Sequence, residues 1–155
     1  EYPAASGVGM ELSEEALAVA QANAEALGVR ARARLIAGDW RQPDWQQGLG
    51  GSFDLLVSNP PYIEAGAIER LMPEVARFEP RLALDGGPDG LVAYRTIATA
   101  APALVAPGGR VLVEAGEGQA TEISKIFASA GLAMEVLWKD LAGIDRVVSA
   151  MHSKH

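Results

Sequence analysis

The 155 residues include 13 Lys and Arg against 20 Asp and Glu, a net charge of -7, and 49% are hydrophobic and 21% charged. This composition is typical of one soluble globular domain, and no apolar run approaches the roughly 18 residues of a membrane helix. The acidic balance disfavours nucleic acid as a direct partner, and the lack of Cys excludes disulfides, a thiol nucleophile and Cys-bound zinc.

The first part of the chain predicts a strand, a helix and a second strand. We expect the first strand from Gly7 to Glu11 and a helix after Ser13, a residue type that caps helix N-termini. Glu14 would lie in the first helical turn, where the helix dipole favours negative charge. The second strand is predicted from Ala33 to Ala37, followed by a loop rich in Gly, Gln and Pro.

The later part begins with the apolar run Phe53 to Ser58, which predicts a parallel strand buried on both faces. Pro60 and Pro61 must end it, because proline cannot donate to a sheet ladder. An irregular segment is expected up to about Gly90. The remaining predicted elements are a helix from Leu91 up to the break at 107–109, a strand at 110–115, a helix at 119–130 and strands at 132–138 and 146–151. This alternation predicts an α/β domain with a mostly parallel sheet.

Polar side chains stand where the predicted strands end. They are Glu11, Asp39 with Trp40, Asn59 and Glu114. Ligands of α/β sheets bind beyond the carboxyl ends of the strands, so we expect these positions along one rim.

Two of these positions suit a nucleoside. Glu11 could accept both hydrogen bonds of a ribose diol, or it could be an ordinary acidic residue beside a helix N-terminus. Asp39 could accept from an adenine amine while Trp40 packs on the ring. A turn Asp beside a partly buried Trp would give the same pattern.

The stretch Asn59-Pro60-Pro61-Tyr62 is more specific. The prolines stiffen the loop and leave the carbonyls of Asn59 and Pro60 as acceptors. The Asn59 side-chain oxygen and one of these carbonyls could accept both hydrogen bonds of an NH2 group. Tyr62 could cover one face of a planar substrate. A simple strand-terminating turn would explain the prolines and leave Asn59 and Tyr62 to chance. Both histidines lie in the last four residues, so imidazole catalysis and a metal site are not expected.

Seven segments occur in the order found in one enzyme family: GMELSEEALAVAQANAEALG, AGDW, FDLLVSNPPYI, FEPRLAL, DGLVAYR, PGGRVLVEAGEGQ and DLAGIDRVV. Over nearly its whole length the chain resembles the S-adenosylmethionine-dependent protein glutamine N5-methyltransferases, the HemK/PrmC family that modifies peptide chain release factors. Asn-Pro-Pro-Tyr alone also occurs in enzymes that methylate nucleobase amines. The resemblance implies a Rossmann-like class I methyltransferase fold, mostly parallel with an antiparallel last strand. It also implies a catalytic domain at 1–151 and a tail at 152–155.

The resemblance also implies roles for the residues at the rim. Glu11 would bind the cofactor ribose, and Asp39 with Trp40 would contact the adenine. Asn59 would touch both cofactor and substrate. The glutamine amide of a release factor Gly-Gly-Gln motif would be held by Asn59, Pro60, Pro61 and Tyr62. Asn59, Pro60 and Tyr62 are thus the catalytic candidates, and the expected location is cytoplasmic.

The sequence departs from the family pattern at its start. The family's first strand and glycine-rich loop are absent, and Gly7 and Gly9 do not replace them because they fall inside a predicted strand. The family's preceding helical domain is absent too. We therefore expect a fragment of a longer protein, with a sheet interrupted between the strands that end at Glu11 and at Asn59. Cofactor binding by this chain alone should be weak or absent. The alternatives are methylation of a ribosomal-protein glutamine or a nucleobase amine, and a noncatalytic remnant of the fold.

Overall fold

A computed structural model describes residues 2–153, except for the side chains of residues 76 and 77. The chain divides into two compact units between Gly51 and Ser52. The first unit contains a two-stranded sheet and the second a four-stranded sheet. Within residues 2–153 no ladder joins the two sheets, so the predicted interruption is confirmed.

The first unit is a strand, helix, strand motif. Its elements are strand β1 (Gly7–Glu11), helix α1 (Glu14–Ala26) and strand β2 (Ala33–Ala37), followed by a 3-10 helix (Trp45–Gly48). The strands pair in parallel from Gly7 opposite Ala33 to Glu11 opposite Ala37. Ser13 caps α1, since its hydroxyl oxygen accepts from the Ala16 N–H at 3.2 Å. The two predicted strands and the predicted helix are confirmed.

The second unit holds a mixed sheet. Its strands are β3 (Phe53–Ser58), β4 (Val105–Glu114), β5 (Leu132–Lys139) and β6 (Asp145–His152), arranged in the order β3, β4, β6, β5. Strand β3 is parallel to β4, whereas β6 runs antiparallel to both of its neighbours. The expectation of an antiparallel last strand is therefore confirmed.

Two long helices cover this sheet and form its core. They are α4 (Val92–Leu104), which contacts β3 and β4, and α5 (Ala120–Ser129), which contacts β5, β6 and α4. The largest fully buried side chains include Tyr94, Ile123, Phe127, Val111, Val113 and Val148. Burial of these apolar side chains fixes the helices on the sheet and so fixes the carboxyl ends of β3 and β4.

The segment between β3 and α4 is more regular than predicted. It contains a 3-10 helix (Ile68–Arg70) and two short helices, α2 (Pro73–Phe78) and α3 (Arg81–Leu84). Elements of three to six residues are too short to show a helical period in the sequence, which is why the prediction of an irregular segment was wrong here.

Strands β3 and β4 also differ from prediction. The prediction that β3 is buried on both faces was wrong, because Leu55 is 51% and Val57 68% exposed. Strand β4 begins at Val105 rather than at Arg110, and its register with β3 shifts between these two residues. The predicted break at 107–109 is therefore an irregularity within β4.

The carboxyl end of the described chain is ordered into β6 up to His152. The His152 Nδ1 atom lies 2.7 Å from the Val105 carbonyl oxygen. Strand β6 therefore includes the first residue of the predicted tail, whose residues 154 and 155 lie outside the described residues. None of the helices described in residues 2–153 is long and apolar enough to cross a lipid bilayer.

Candidate active site

The Asn59-Pro60-Pro61-Tyr62 loop begins where the β3 ladder ends. Ser58 is the last β3 residue and lies opposite Val113 of the parallel strand β4. The next residues, Asn59 and Glu114, therefore lie on the same rim of the second unit, as predicted. This places the loop at the sheet edge where α/β proteins bind ligands.

The hydrogen-bonding groups at the start of this loop are available to a ligand. Asn59 is exposed, Pro60 is buried, and Pro61 and Tyr62 are half-buried. In residues 2–153 no side chain bonds to the Asn59 amide or to the carbonyls of Asn59 and Pro60. The Asn59 side chain is therefore open to solvent beside a buried Pro60 whose carbonyl has no hydrogen-bond partner among the described residues.

Backbone hydrogen bonds brace the other side of the loop. The Ile63 N–H donates to the Leu84 carbonyl at 3.0 Å, and the Ile63 carbonyl accepts from the Gly86 N–H at 2.8 Å. The Ala65 N–H donates to the Gly87 carbonyl at 2.9 Å. The segment 84–87 therefore forms a short ladder beside the loop, and this ladder limits how far Tyr62 can move.

Tyr94 supports the neighbouring end of β4. Its side chain is fully buried, and its hydroxyl donates to the Glu114 carbonyl at 2.8 Å. Burial raises the pKa of Tyr94, so the hydroxyl stays a neutral donor. Tyr94 therefore belongs to the core, and its hydroxyl also fixes the rim.

Sequence reasoning assigned no role to Gln119, which the structure places beside the loop. Its Nε2 atom donates to the Tyr62 carbonyl at 3.0 Å across 57 residues of chain. A glutamine just before a helix can form a cap, so the sequence alone offered no signal for this long-range bond.

The rim of the first unit carries Glu11, Asp39 and Trp40. The Gly38 N–H donates to the Glu11 carbonyl at 3.0 Å, so Asp39 follows at the carboxyl end of the β1 and β2 pair. One Glu11 carboxylate oxygen, Oε1, accepts from the Ser13 N–H at 2.9 Å. This bond orients the carboxylate and leaves Oε2 for hydroxyl donors. Trp40 is half-buried, which leaves part of the indole open to an aromatic ring.

Arg41 holds the Asp39 carboxylate. Its backbone N–H and Nε donate to Oδ1 at 2.9 and 2.8 Å, and its Nη2 donates to Oδ2 at 2.8 Å. The side-chain hydrogen bonds from Arg41, followed by its backbone hydrogen bond, lower the pKa of Asp39 to about 2. Asp39 is therefore an ionised acceptor at neutral pH, but one that a ligand amine would share with Arg41. The sequence analysis did not foresee this pairing.

Arg41→Leu is expected to raise the pKa of Asp39 from about 2 part of the way to its ordinary value of 3.8, because the backbone N–H of residue 41 still donates. Since the folded-state pKa is depressed, the pair contributes stability that is fully present above pH 3.8 and is lost as pH falls through about 2. NMR titration of the Asp39 carboxyl carbon measures the shift. Arg30→Leu, at an exposed arginine on the same unit, is the control. An unchanged Asp39 titration in Arg41→Leu would contradict the assignment.

These groups fit the nucleoside part of S-adenosylmethionine by their chemistry. Glu11 has a free carboxylate oxygen for ribose hydroxyls, and Asp39 with Trp40 combines an anionic acceptor with an aromatic face. In the described part of the chain, no three His, Asp or Glu side chains cluster as metal ligands would.

Known proteins resemble this chain in both sequence and fold, although no family model matches it. The release factor glutamine methyltransferase of Caulobacter vibrioides is 50% identical over 149 residues, which are 96% of this chain and 50% of that protein. The protein of the same name from Rhodospirillum rubrum is 46% identical over 150 residues, 97% of this chain and 45% of that protein.

Solved structures support the fold. A methyltransferase from Pyrococcus furiosus matches with a TM-score of 0.67 at 16% identity, covering 96% of this chain and 64% of that one. The release factor-specific protein-(glutamine-N5) methyltransferase from Alicyclobacillus acidocaldarius matches with a TM-score of 0.51 at 24% identity, covering 98% and 84%. Identities this low establish the fold alone. The prediction of a Rossmann-like class I methyltransferase fold is confirmed.

The sequence relationship is close, but it concerns one part of the relatives. The chain spans about half the length of the curated relatives it matches. Identities of 46 to 50% are measured over nearly all of this chain, a stretch that contains the Asn-Pro-Pro-Tyr loop and both strand rims. The chain is therefore a homologue of the release factor glutamine methyltransferases, the HemK/PrmC family.

Proposed function

We propose that the protein transfers a methyl group from S-adenosylmethionine to the side-chain amide nitrogen of the glutamine in a release factor Gly-Gly-Gln motif. The observation that carries this proposal is the exposed Asn59 side chain at the carboxyl end of β3, next to a Pro60 carbonyl that has no hydrogen-bond partner among residues 2–153. The names and identities of the curated relatives support the same activity. Because the substrate is a translation factor, we also propose that the protein acts in the cytoplasm.

The acceptor pair suits the chemistry of an amide. An amide nitrogen is a poor nucleophile because its lone pair is delocalised into the carbonyl, so it needs orientation and a partner for its protons. The two N–H bonds of the substrate can donate to the Asn59 oxygen and to the Pro60 carbonyl. Such bonds aim the nitrogen lone pair away from the loop and stabilise positive charge as it develops on the nitrogen. S-Adenosylmethionine would supply an electrophilic sulfonium methyl group and leave as S-adenosylhomocysteine when the N–CH3 bond forms, and the methylated amide would lose one N–H proton to water.

Tyr62 contributes a surface rather than a charge. Its half-buried ring can pack against the planar amide of the substrate, because aromatic rings stack well on flat groups. The backbone that follows Tyr62 is held by the ladder between residues 63–65 and 84–87. We propose that the Tyr62 ring restricts the glutamine to the orientation in which both amide hydrogens meet their acceptors.

We propose that three residues of the first unit hold the nucleoside part of the cofactor. Glu11 accepts from the ribose hydroxyls, Asp39 accepts from the adenine amine, and Trp40 packs against the base. The open Glu11 Oε2 atom and the ionised state of Asp39 support these roles. We propose that Asn59 also contacts the cofactor.

Methyl transfer to a defined glutamine tests the proposal. The protein, expressed with any sequence that precedes Glu1 in its gene, is incubated with S-adenosylmethionine and a release factor, and the Gly-Gly-Gln peptide is analysed by mass spectrometry. One added methyl group on that glutamine is expected, and none on a release factor in which alanine replaces the glutamine. A methylated ribosomal protein or nucleic acid in parallel reactions, with an unmodified release factor, would overturn the substrate assignment. No transfer to any of them would favour a noncatalytic remnant.

A further inference from the structure

Gln119 connects three segments of the second unit that are distant in sequence. Its Oε1 atom accepts from the Gly116 N–H at 3.1 Å, and its Nε2 atom donates to the Tyr62 carbonyl at 3.0 Å. A longer contact of 3.5 Å joins Nε2 to the Gly90 carbonyl. Because an N–H can only donate and a carbonyl can only accept, these partners fix the orientation of the Gln119 amide.

Helix α5 does not need this side chain. Gln119 is the N-cap residue of α5, yet its side chain makes no capping hydrogen bond to that helix. Its backbone serves the helix instead, since the Gln119 carbonyl accepts from the Ile123 N–H at 3.0 Å. The amide group therefore reaches away from its own helix and toward the Asn59-Pro60-Pro61-Tyr62 loop.

The loop needs an outside donor because of its own sequence. Pro60 and Pro61 have no N–H groups, so this part of the loop cannot donate backbone hydrogen bonds and can be held only through its carbonyls. The prolines fix φ, and Asn59 and Pro60 are held to an extended ψ because each precedes a proline, so the freest backbone rotation lies after Pro61. Gln119 donates to the Tyr62 carbonyl and the Ile63 N–H donates to the Leu84 carbonyl, so both sides of the peptide plane that ends the loop are held, while the β3 ladder holds the start.

Close packing leaves the Gln119 contacts little freedom. A Cβ atom on Gly116 would lie 2.6 Å from Gln119 Oε1 and 2.9 Å from Tyr62 Cδ2. A Cβ atom on Gly90 would lie 2.6 Å from Gln119 Nε2. Glycine at both positions therefore makes the room in which the Gln119 amide meets the Tyr62 carbonyl.

We propose that Gln119 is a positioning residue for methyl transfer. Its amide holds the Tyr62 carbonyl, and through the stiff Pro60-Pro61 unit it sets the direction in which the Pro60 carbonyl meets the substrate nitrogen. This inference rests on the proposed function, but the hold on the loop can be measured without catalysis.

Two substitutions of Gln119 test the role in the protein expressed with any sequence that precedes Glu1 in its gene. Gln119→Met keeps the size and removes both hydrogen bonds. We expect it to lower kcat roughly 10- to 100-fold, because a small misplacement of reacting groups is costly, while the KM for S-adenosylmethionine changes by less than about twofold. Gln47→Met, at an exposed glutamine of the 3-10 helix in the first unit, is the matched control and should keep wild-type kinetics.

Gln119→Glu adds a second measurement, the pH dependence of kcat, which would not change if Gln119 only supported the fold. In this variant an ionised carboxylate cannot donate to the Tyr62 carbonyl, whereas a protonated carboxyl group can. The ratio of its kcat to that of the wild type should therefore rise as pH falls from about 8 to about 5.5, toward the titration range of a glutamate near carbonyl groups. A ratio that stays flat with pH would overturn the proposal, as would kcat values of Gln119→Met within about twofold of wild type.

The position of the Asn59-Pro60-Pro61-Tyr62 loop is measured separately from catalysis, by fluorine NMR of protein labelled with 3-fluorotyrosine. The chain has three tyrosines, and Tyr62→Phe assigns the Tyr62 signal. Gln119→Met should shift or broaden the Tyr62 signal and leave that of Tyr2 in place. An unchanged Tyr62 signal would overturn the hold on the loop. If the wild type transfers no methyl group, the proposed function fails, and the Tyr62 signal still decides whether Gln119 holds the loop.

Discussion

Asn59→Ala is expected to lower kcat for methylation of the release factor glutamine by roughly 100- to 1000-fold, the usual effect of removing one preorganised transition-state partner. The Asn59 oxygen is one of two acceptors offered to the substrate NH2, and the remaining Pro60 carbonyl can orient only one of the two N–H bonds. Single-turnover kinetics with saturating release factor and S-adenosylmethionine measure the change.

Stability should not change with this substitution, because Asn59 is exposed and its amide has no bonded side-chain partner within residues 2–153. Asn23→Ala is the matched control, since Asn23 is the only other asparagine of the chain and is exposed on α1. An Asn59→Ala protein with wild-type kcat would remove this residue from the mechanism. A large drop in melting temperature would mean that Asn59 supports the fold instead.

Gly90→Ala should damage both the loop and the reaction. Gly90 has a φ of 71°, and a Cβ atom there would lie 2.5 Å from the Tyr62 carbonyl oxygen. The loop must shift to relieve this contact. We expect roughly 100-fold lower kcat/KM, since displacement of a positioning loop by about 1 Å has effects of that size.

Gly118→Ala separates the clash from the backbone strain. Gly118 has a similar φ of 79°, but a Cβ atom there would meet nothing within 4 Å. Both substitutions cost the strain of a left-handed residue, whereas Gly90→Ala should lose a further ~1 to 3 kcal/mol of unfolding free energy through overpacking. Urea denaturation measures the difference. Equal stability and activity of the two variants would show that the space beside Tyr62 is not critical.

Local sequence signals predicted much of the fold. The β1, α1, β2 motif followed from the cap at Ser13 and from strand-length apolar runs, and the end of β3 followed from two prolines that cannot join a ladder. The antiparallel last strand and the interrupted sheet were predicted from the family resemblance rather than from the pattern of residues. These features depend on short stretches of chain or on the family pattern, so they could be predicted from a single sequence.

Features that depend on tertiary contacts were missed. The start of β4 at Val105 depends on pairing with Phe53, and no local pattern marks a strand that continues through Pro107 and two glycines. The exposure of Leu55 and Val57 depends on which elements cover β3, whereas their apolar character alone predicts burial.

The sequence suggested the residues of the candidate site, and they stay a prediction, but it did not suggest the residues that support them. Asn59, Pro60 and Tyr62 could be selected because proline chemistry and an adjacent amide suggest acceptors in a stiff loop. The bond from Gln119 to Tyr62 spans 57 residues and could not be read from spacing. The Arg41 pairing with Asp39 is local, yet nothing in the letters Asp-Trp-Arg distinguishes an ion pair from two separate surface charges.

The lack of N–H groups at Pro60 and Pro61 has a consequence for the choice between glutamine and glutamate. Around Asn59 and Pro60 the loop backbone offers oxygen atoms, and a carboxylate would bring two more oxygens and a negative charge against them. An amide in the same place brings two hydrogens. In the proposed arrangement, a release factor whose glutamine had deamidated to glutamate would meet electrostatic repulsion at this loop, and we expect the two prolines that end a strand to disfavour that chemically damaged substrate.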